Sequence, residues 1–510
     1  MYQKVRYSPR FWHAVYMVRE IITIQIGKFG NHVGCNFWED ISEEHHISPD
    51  GKINSIENNS PNQNLNVYYN EESNGKYVPR TIFADLNSNS IDYVKSSKLG
   101  QLFKTDSYYY NNSGSSGCYS RAFFQEGSEI ADQIIDVIRK EAESCDCLQG
   151  FQMIHSLCGG TGSGLSSALT NRFDQDFQSK ITTNFCLIPS PSLNYNVLEL
   201  YNYMLTFMQI YETSNLTFYF DNEALTNVCF RSMNNTTPTF NDFNSLISKT
   251  ISGITCSMRF PGILNSDMRK MAMNLIAFPG IHYFVSSVVP QNTKQNQTVS
   301  SVTSQLFNAK NILASCDCRK GIYLSASAIF RGGFSSREVE EQMTNIQSMN
   351  SSYFCEWIPS NIQTVECSVP HSGFNISGTF IGHTTAIKDV FNRIDQNYRK
   401  MYNKKSFVHY YVNYGSEIYE FDENQYLMLD IINQYDLYEN AGVNDESGNE
   451  EDSDNEEDSD NEEDSDNEED SDNEEDSDNE EDSDNEEDSD NEEDSDNEED
   501  SDNEEDSDLE

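Results

Sequence analysis

The residues best suited to chemistry in this sequence lie in the short segment Cys158–Gly164, which reads Cys-Gly-Gly-Thr-Gly-Ser-Gly. Alternating apolar residues over Phe151–Leu157 predict a strand before it, and Leu165–Leu169 opens a helical pattern after it. Such a turn gathers backbone N–H groups without Cβ atoms in the way, and a helix N-terminus favours negative charge. The segment therefore predicts a polyphosphate site; the alternative is a flexible loop without a ligand.

This loop is neither a Walker loop, which would end in Gly-Lys-Ser/Thr, nor the dinucleotide turn Gly-x-Gly-x-x-Gly. A second strand–turn–helix supports the site. Val18–Gly27 is rich in β-branched residues, Lys28–Gly34 carries further glycines, and Phe37, Trp38 and Ile41 follow at helical spacing. Two such units predict a Rossmann-like α/β nucleotide-binding domain.

Further elements follow from the apolar patterns. The sequence predicts an amphipathic helix over Glu129–Cys145, strands over Ile322–Arg331 and Ser377–Ile381, and long helices over Asp389–Tyr402 and Gln425–Tyr438. The polar segments Lys52–Asn66 and Gln291–Ser304 are predicted as loops, the second of them mobile.

The net charge of −52 is concentrated at one end of the chain. From Asn449 to Asp508 the sequence is ten copies of Asn-Glu-Glu-Asp-Ser-Asp, which supply 40 of those negative charges. The repeat has no core-forming residue, so a disordered acidic tail is predicted from about residue 444. A wide acidic field argues against nucleic acid as a partner.

The remaining composition indicates a cytoplasmic protein. Twelve cysteines in a long chain without a secretory signal suggest reduced thiols, and no stretch has the roughly 20 apolar residues of a membrane span. The pairs Cys145/Cys147 and Cys316/Cys318 lack the second half of a metal site, so we predict packed structural cysteines and no metal ligands.

Several segments together resemble tubulin. They are Asn66–Glu71, Glu143–Phe151, Arg259–Gly262, Asn350–Phe354 and Thr379–Gly382. The resemblance covers about Val18 to Tyr438. It implies a tubulin-type GTPase fold with a GTP-binding domain (18–222), an α/β intermediate domain (223–388) and C-terminal helices (389–443), between an N-terminal extension (1–17) and the tail (444–510). The extension precedes the position where tubulins begin, so it is either an arm or a misassigned start codon.

The segment Leu264–Lys270 resembles β-tubulin in particular. Lys270 stands where α-tubulin has the glutamate that activates water on the neighbouring subunit's GTP. The resemblance implies an interface loop with Asn265, Asp267 and Lys270, an α-tubulin-like partner, and hydrolysis completed by that partner's glutamate rather than by a catalytic residue of this chain. A stand-alone GTPase is disfavoured because Lys270 removes the activating carboxylate.

The resemblance also assigns the nucleotide site residue by residue. Positions that match the phosphate loop are Ser156, Gly159, Gly160, Thr161 and Gly162. Glu199 and Asn222 match residues that meet the ribose and base, and Asn244 matches the amide that reads guanine. Phe240 stands where a tyrosine stacks on the base, which keeps the π-face and loses the hydroxyl.

Other positions depart from the family around the phosphates and the sugar. Lys28 replaces a glutamine, Phe29 a cysteine, Asn87 a glutamate that organises Mg²⁺, Gly117 an asparagine, Cys158 a glycine and Tyr195 an aspartate. The Mg²⁺ site is thus depleted, while the Lys28 ammonium supplies charge near a triphosphate. We expect a GTP site with reduced magnesium dependence and slowed turnover; the alternative is drift in a copy under weak selection for hydrolysis.

The resemblance implies a structural subunit of cytoskeletal, microtubule-type polymers. The segment 290–297 is shorter than the lateral loop of β-tubulins and has no aromatic residue, so weaker lateral contacts are expected. The tail resembles family tails that attract basic motor or microtubule-associated proteins. The alternative is a non-polymerising regulatory tubulin that binds GTP and caps or sequesters partners.

Overall fold

The computed structural model describes residues 19–53, 64–190, 197–232, 237–260, 267–291, 297–355, 357–358 and 361–441. All of these belong to one compact unit, 1–449. The predicted extension and acidic tail lie outside the described residues, as does 54–63 of the predicted loop Lys52–Asn66.

The described ranges contain twelve strands: β1 (Glu20–Ile26), β2 (Tyr69–Glu71), β3 (Tyr77–Pro79), β4 (Thr81–Asp85), β5 (Tyr108–Tyr110), β6 (Leu148–Ser156), β7 (Ile181–Ile188), β8 (Leu216–Asp221), β9 (Tyr283–Val289), β10 (Tyr323–Gly332), β11 (Ile362–Cys367) and β12 (Ile376–Thr384).

The α-helices of the same ranges are α1 (Gly27–Glu44), α2 (Ser88–Ser96), α3 (Glu126–Glu143), α4 (Gly160–Asp176), α5 (Val197–Thr213), α6 (Asn222–Ser232), α7 (Phe240–Arg259), α8 (Met268–Leu275), α9 (Val299–Leu306), α10 (Ser336–Met349), α11 (Lys388–Tyr402), α12 (Val408–Val412) and α13 (Ile418–Asn440). A π-helical turn, Arg121–Gln125, precedes α3. None of them combines the length and the apolar character needed to cross a membrane.

Ten strands form one sheet in the order β11-β10-β12-β9-β8-β7-β6-β1-β4-β5. Strand β1 lies between β4 and β6 and is parallel to both, with Ile24 beside Ile82 and Met153. The chain leaves β1 toward β4 on one side and later returns to β6 on the other. Such a reversal opens a crevice at the carboxyl ends of the strands, where ligands of open α/β sheets bind.

Helices cover both faces of the sheet, and every residue of β1 is therefore buried, including the polar Thr23 and Gln25. Ile22, Ile24 and Ile26 pack in the cluster that contains α3 and α4. Ile21 belongs to the opposite cluster, which contains the buried residues of α1 and α7. A third cluster joins α5, α11 and α13 to the sheet. The predicted α/β architecture is confirmed.

Several predicted elements are confirmed, although their first or last residues differ from the predicted ones. The strands at Val18–Gly27, Phe151–Leu157, Ile322–Arg331 and Ser377–Ile381 are β1, β6, β10 and β12, and the helices at Glu129–Cys145 and Asp389–Tyr402 are α3 and α11. The helix predicted over Gln425–Tyr438 is α13, which begins at Ile418.

Three predictions were wrong in part. The turns predicted over Lys28–Gly34 and Cys158–Gly164 lie largely inside α1 and α4, because glycines suit the close packing of these helix starts. The predicted loop Gln291–Ser304 overlaps helix α9, whose buried Val299, Val302 and Leu306 form an apolar stripe.

A buried ion cluster joins the ends of α1 and α7 to the far part of the sheet. Glu44, the last residue of α1, is paired with Arg259 at the end of α7 (2.5 Å) and with Arg331 on β10 (2.9 Å). His371 Nδ1 lies 2.7 Å from the same carboxylate. All four side chains are buried.

The cluster keeps Glu44 charged. Burial alone would raise the pKa of this carboxyl, but Arg259 and Arg331 outweigh burial and hold the pKa well below its usual range. A lowered pKa stabilises the fold above the unfolded value of about 4.3. That contribution is lost as the pH falls from there through the lower folded value.

We predict that Glu44→Gln lowers the free energy of unfolding by about 3–5 kcal/mol near pH 7, because two buried guanidinium groups lose their counter-charge. Urea unfolding measures the change. Its matched control is Glu43→Gln, since the Glu43 side chain is exposed and accepts from Ser372 Oγ (3.0 Å), so about 0.5 kcal/mol or less is expected. Equal effects of the two substitutions would refute this assignment.

Candidate functional site

A cleft of about 750 Å³ lies at the carboxyl ends of the parallel strands. The first turns of α1, α4, α6 and α7 line it, and Asn87 and Asn89 bring the start of α2 to it. Five helices thus direct their N-termini toward one space. The partial positive charges of helix N-termini add where they converge, so the cleft favours an anion.

The loop between β6 and α4 forms one wall of this cleft. Gly159 is the N-cap of α4, and Gly160, Thr161 and Gly162 make its first turn. Cys158 N donates to Ser156 Oγ (3.2 Å), and Thr161 Oγ1 donates to Ser115 Oγ (3.2 Å). The backbone of Gly159–Gly162 therefore lies beside the cleft, as the backbone of a phosphate-binding loop does.

Gly160 has no room for a side chain. A Cβ there would stand 2.5 Å from Cys118 N, 2.6 Å from the carbonyl carbon of Gly117 and 2.8 Å from Ser115 Oγ. Gly159 differs, since no atom lies within 4 Å of its Cβ position. The close packing of α4 therefore depends on Gly160 and not on Gly159.

The start of α1 brings a cation to the same cleft. Gly27 has a φ of +71°, and Lys28 and Phe29 follow it along the cleft wall. The Lys28 side chain is exposed, and no salt bridge recorded among the described residues includes it. Its ammonium is thus available to an anionic ligand.

Another part of the cleft lining has the composition of a base site. Asn222, at the start of α6, and the buried Asn244 on α7 line it together with Phe240 and Phe243. The Phe240 side chain is 74% exposed and contacts Phe243 edge-on, with ring centroids 5.9 Å apart. An aromatic ring so exposed at the lip of a cleft offers a free face to a planar ligand.

Asp85 is the only acid among the described residues that line the cleft. Its carboxylate accepts from Asn87 N (3.2 Å) and from Ser90 Oγ, and burial raises its pKa. The Asn87 side chain caps α2 by accepting from Asn89 N (3.0 Å). The oxygens of Asp85 and of Asn87, the position linked to Mg²⁺ by the resemblance, are thus engaged in internal hydrogen bonds, which fits Mg²⁺ poorly. Within the described ranges, no three His, Cys, Asp or Glu side chains are grouped so that they could hold a metal ion.

His32 and Tyr93 are among the cleft residues that sequence reasoning missed, along with Asp85 and Phe243. His32 on α1 and Tyr93 on α2 stack with ring centroids 4.1 Å apart and an interplanar angle of 3°. Burial and the nearby Lys28 lower the pKa of His32. The i, i+4 spacing of Lys28 and His32 on α1 was a signal that could have indicated a shared face.

The predicted nucleotide residues come together with one exception. Those that line the cleft are Lys28, Phe29, Ser156, Gly159, Gly160, Thr161, Gly162, Asn222, Phe240 and Asn244. Glu199 lies on the first turn of α5 and is not among the lining residues, although its charge, after burial, helps to raise the pKa of Cys158. Tyr195 lies outside the described residues.

The predicted interface loop is described from Asp267 onward, whereas Asn265 lies outside the described residues. Asp267 is the buried N-cap of α8, accepts from Lys270 N (2.7 Å) and is ion-paired with Arg19. Lys270 is exposed on the first turn of that helix.

All twelve cysteines lie in the described ranges as free thiols. Cys316 and Cys318 are buried, and Cys145 and Cys147 are half-buried. Cys186 is hydrogen-bonded to His155, with Sγ and Nε2 3.4 Å apart, and His155 Nδ1 donates to Gly162 O (3.1 Å). Burial lowers the pKa of His155 to about 4, so a neutral imidazole supports the first turn of α4.

Comparison with known families gives two matches. Residues 20–230 match the Tubulin/FtsZ family, GTPase domain, and residues 279–396 match the tubulin C-terminal domain. Together the matches cover more than half of the chain. The first includes every strand whose carboxyl end meets the cleft, while Phe240 and Asn244 lie between the two matched segments.

We predict that Gly160→Ala weakens binding of a fluorescent GTP analogue by tenfold or more, roughly 1.4 kcal/mol, because the start of α4 must shift. Gly159→Ala is the matched control and should change the affinity by less than about threefold. Equilibrium titration compares the two. If both substitutions weaken binding equally, the assignment of the first turn of α4 to the phosphate wall is wrong.

Proposed function

Since the chain belongs to the tubulin family of cytoskeletal GTP-binding proteins, we propose that it is a β-tubulin-like polymer subunit that pairs with an α-tubulin-like partner. The observation that carries the proposal is the cleft itself. It combines converging helix N-termini with an exposed aromatic ring and two asparagines. A guanine nucleotide has matching parts, a polyphosphate and a planar base with polar edges.

In the proposed complex the triphosphate lies along Gly159–Gly162, where backbone N–H groups bind its oxygens. The base stacks on Phe240, and the amides of Asn222 and Asn244 bind its polar edge. This assignment uses only groups that line the cleft.

Hydrolysis is proposed to require the partner. Asp85, the single acid among the described lining residues, is buried and hydrogen-bonded, so it is not placed to activate water. An attacking water must nevertheless be positioned. A carboxylate from the next α-like subunit would meet this need and would link hydrolysis to assembly. At the interface loop of this chain, at the start of α8, the exposed Lys270 would contact the neighbouring subunit.

Lys28 is proposed to supply part of the charge neutralisation that Mg²⁺ gives in other nucleotide sites. Its ammonium is exposed in the cleft, whereas the Asp85 and Asn87 oxygens are engaged in hydrogen bonds. The proposal is a GTP site that depends little on magnesium. Drift of the site without functional consequence is the alternative, and the experiment below separates the two.

We predict that wild-type GTP affinity changes less than about threefold when EDTA removes magnesium, and that Lys28→Gln weakens binding about tenfold under EDTA. The charge lost is close to the phosphates, so the effect should shrink when Mg²⁺ is restored. Lys52→Gln, which removes an exposed charge beyond the far end of α1, is the control. An ordinary, strong magnesium requirement of the wild type would contradict the proposal.

Polymer assembly is the second part of the proposed function. The lateral segment 292–296 lies outside the described residues, so weak lateral contact rests on its sequence alone. We propose longitudinal pairing through the Asp267–Lys270 region, assembly in specialised lattices in the cytoplasm, and attraction of basic motor or microtubule-associated proteins by the tail. The alternative is a regulatory tubulin that caps or sequesters.

Sedimentation separates these two functions. We predict that the full-length chain pellets with α-tubulin and GTP, stays in the supernatant without α-tubulin, and gives few normal microtubules at ordinary tubulin concentrations. A chain that lowers the mass of pre-formed polymer at substoichiometric amounts would be a regulator instead. Efficient assembly of normal microtubules would contradict the predicted weak lateral contact.

A further inference from the structure

The amide of Asn202 on α5 is a buried junction between distant parts of the chain. Its side chain is fully buried. The Nδ2 group donates to Gly117 O (2.8 Å) and to Cys158 O (2.9 Å). The Oδ1 atom accepts from Tyr119 N (3.0 Å) and from the Tyr411 hydroxyl (2.8 Å).

These four bonds use the complete capacity of a primary amide, two donated and two accepted. They also fix the orientation of the amide. If it were rotated so that Oδ1 and Nδ2 changed places, its oxygen would face the carbonyl oxygens of Gly117 and Cys158. Any substitution at Asn202 therefore leaves at least one polar group of a neighbour without its present partner, and this costs binding or folding free energy.

The two carbonyls that Asn202 holds do not line the nucleotide cleft themselves but belong to residues next to its wall. Cys158 precedes the Gly159–Gly162 run, and Gly117 packs against Gly160 in the close approach described above. A peptide carbonyl and the next N–H share one rigid plane. The hydrogen bond from Asn202 Nδ2 to Cys158 O therefore also sets the direction in which the N–H group of Gly159 points.

On its other side, Asn202 is bonded to the C-terminal helices. Tyr411 lies on α12, is buried, and shares its single hydroxyl proton between Asn202 Oδ1 and Leu198 O (3.1 Å). Burial raises the pKa of Tyr411, so it stays a donor at every physiological pH. A second bridge runs in parallel, where the buried hydroxyls of Ser120 and Ser416 are 2.6 Å apart.

We propose that Asn202 is a positioning residue for the phosphate end of the cleft, and that Tyr411 couples this positioning to α12. The inference rests on the proposed GTP site. Asn202 does not itself line the cleft, so it acts through the backbone of Cys158 and Gly117. Because coupling between sites is reciprocal, a change at α12 alters nucleotide affinity and nucleotide alters α12.

The first test replaces one amide atom. Asn202→Asp keeps the size and the acceptors but loses both donors and directs a carboxylate oxygen at two carbonyls. Affinity for GTP is expected to fall tenfold or more, and affinity for guanosine, which has no phosphates, to change less than about twofold. Competition against a fluorescent guanosine analogue gives both values on the full-length chain.

A loss shared equally by GTP and guanosine would mean that Asn202 only maintains the fold, and no loss for either would also overturn the inference. Failure of the wild-type chain to bind GTP would instead refute the proposed function, so the two failures are distinguishable.

The second test is milder and remains useful if Asn202→Asp prevents folding. Tyr411→Phe removes only the hydroxyl and should weaken GTP binding about fivefold. The matched control is Tyr398→Phe, since Tyr398 lies in the same aromatic cluster around Tyr201 and its hydroxyl donates to Phe421 O (2.9 Å) instead. Equal effects of the two substitutions on GTP affinity would overturn the coupling.

Amide hydrogen exchange measures the reciprocal direction. GTP should slow exchange in α12 of the wild-type chain at least twofold, as the phosphate wall and Asn202 become ordered together. The same protection should be lost in Tyr411→Phe and kept in Tyr398→Phe. Protection that is unchanged by Tyr411→Phe would show that α12 does not respond through this hydroxyl.

Discussion

The charge of Glu44 holds together the far ends of the two helices whose near ends form the cleft. Helices α1 and α7 both begin at cleft-lining residues and both end in the ion cluster, at Glu44 and Arg259. At 1.5 Å per residue they are about 27 and 30 Å long. Ser252 Oγ, on the second half of α7, also donates to Glu44 (2.7 Å). Arg331 extends the cluster to β10. The buried Glu44 carboxylate therefore links the ends of α1 and α7, two helices that begin at the cleft, to the distal strands of the sheet.

The starts of five helices line the cleft. The N–H dipoles at such starts attract an anion whatever side chains the helices carry. The resemblance to tubulin implies other residues at positions 29 and 158, and this kind of anion attraction does not depend on them. In the proposed site, Asn87 would bear on the metal and Lys28 on the net charge. The backbone cradle and the charge balance are therefore separate properties of this site.

The glycine-rich segments and the elements beside them could be predicted from local patterns in the sequence, whereas Asn222, Phe240 and Asn244 were assigned only through the resemblance to tubulin. Alternation over β1 and β6 and the glycines beside them indicate strand–helix junctions without any knowledge of the fold. The first residue of α4 was predicted too late in the sequence, because glycine is typical of turns. In the structure Gly160 is inside the helix, where only a glycine fits against Gly117. The stack of His32 on Tyr93 and the four bonds of Asn202 join segments far apart in sequence, so no local pattern indicates them.

The partial positive charges of five helix N-termini that point at one space repel one another when no anion lies between them. A bound anion removes that repulsion, and a ligand that binds only the folded chain adds RT ln(1 + [L]/Kd) to its stability. A guanine nucleotide bound as proposed would then contribute to the stability of the folded chain as well as fill its site. Depletion of that nucleotide would lower the fraction of chains that are folded.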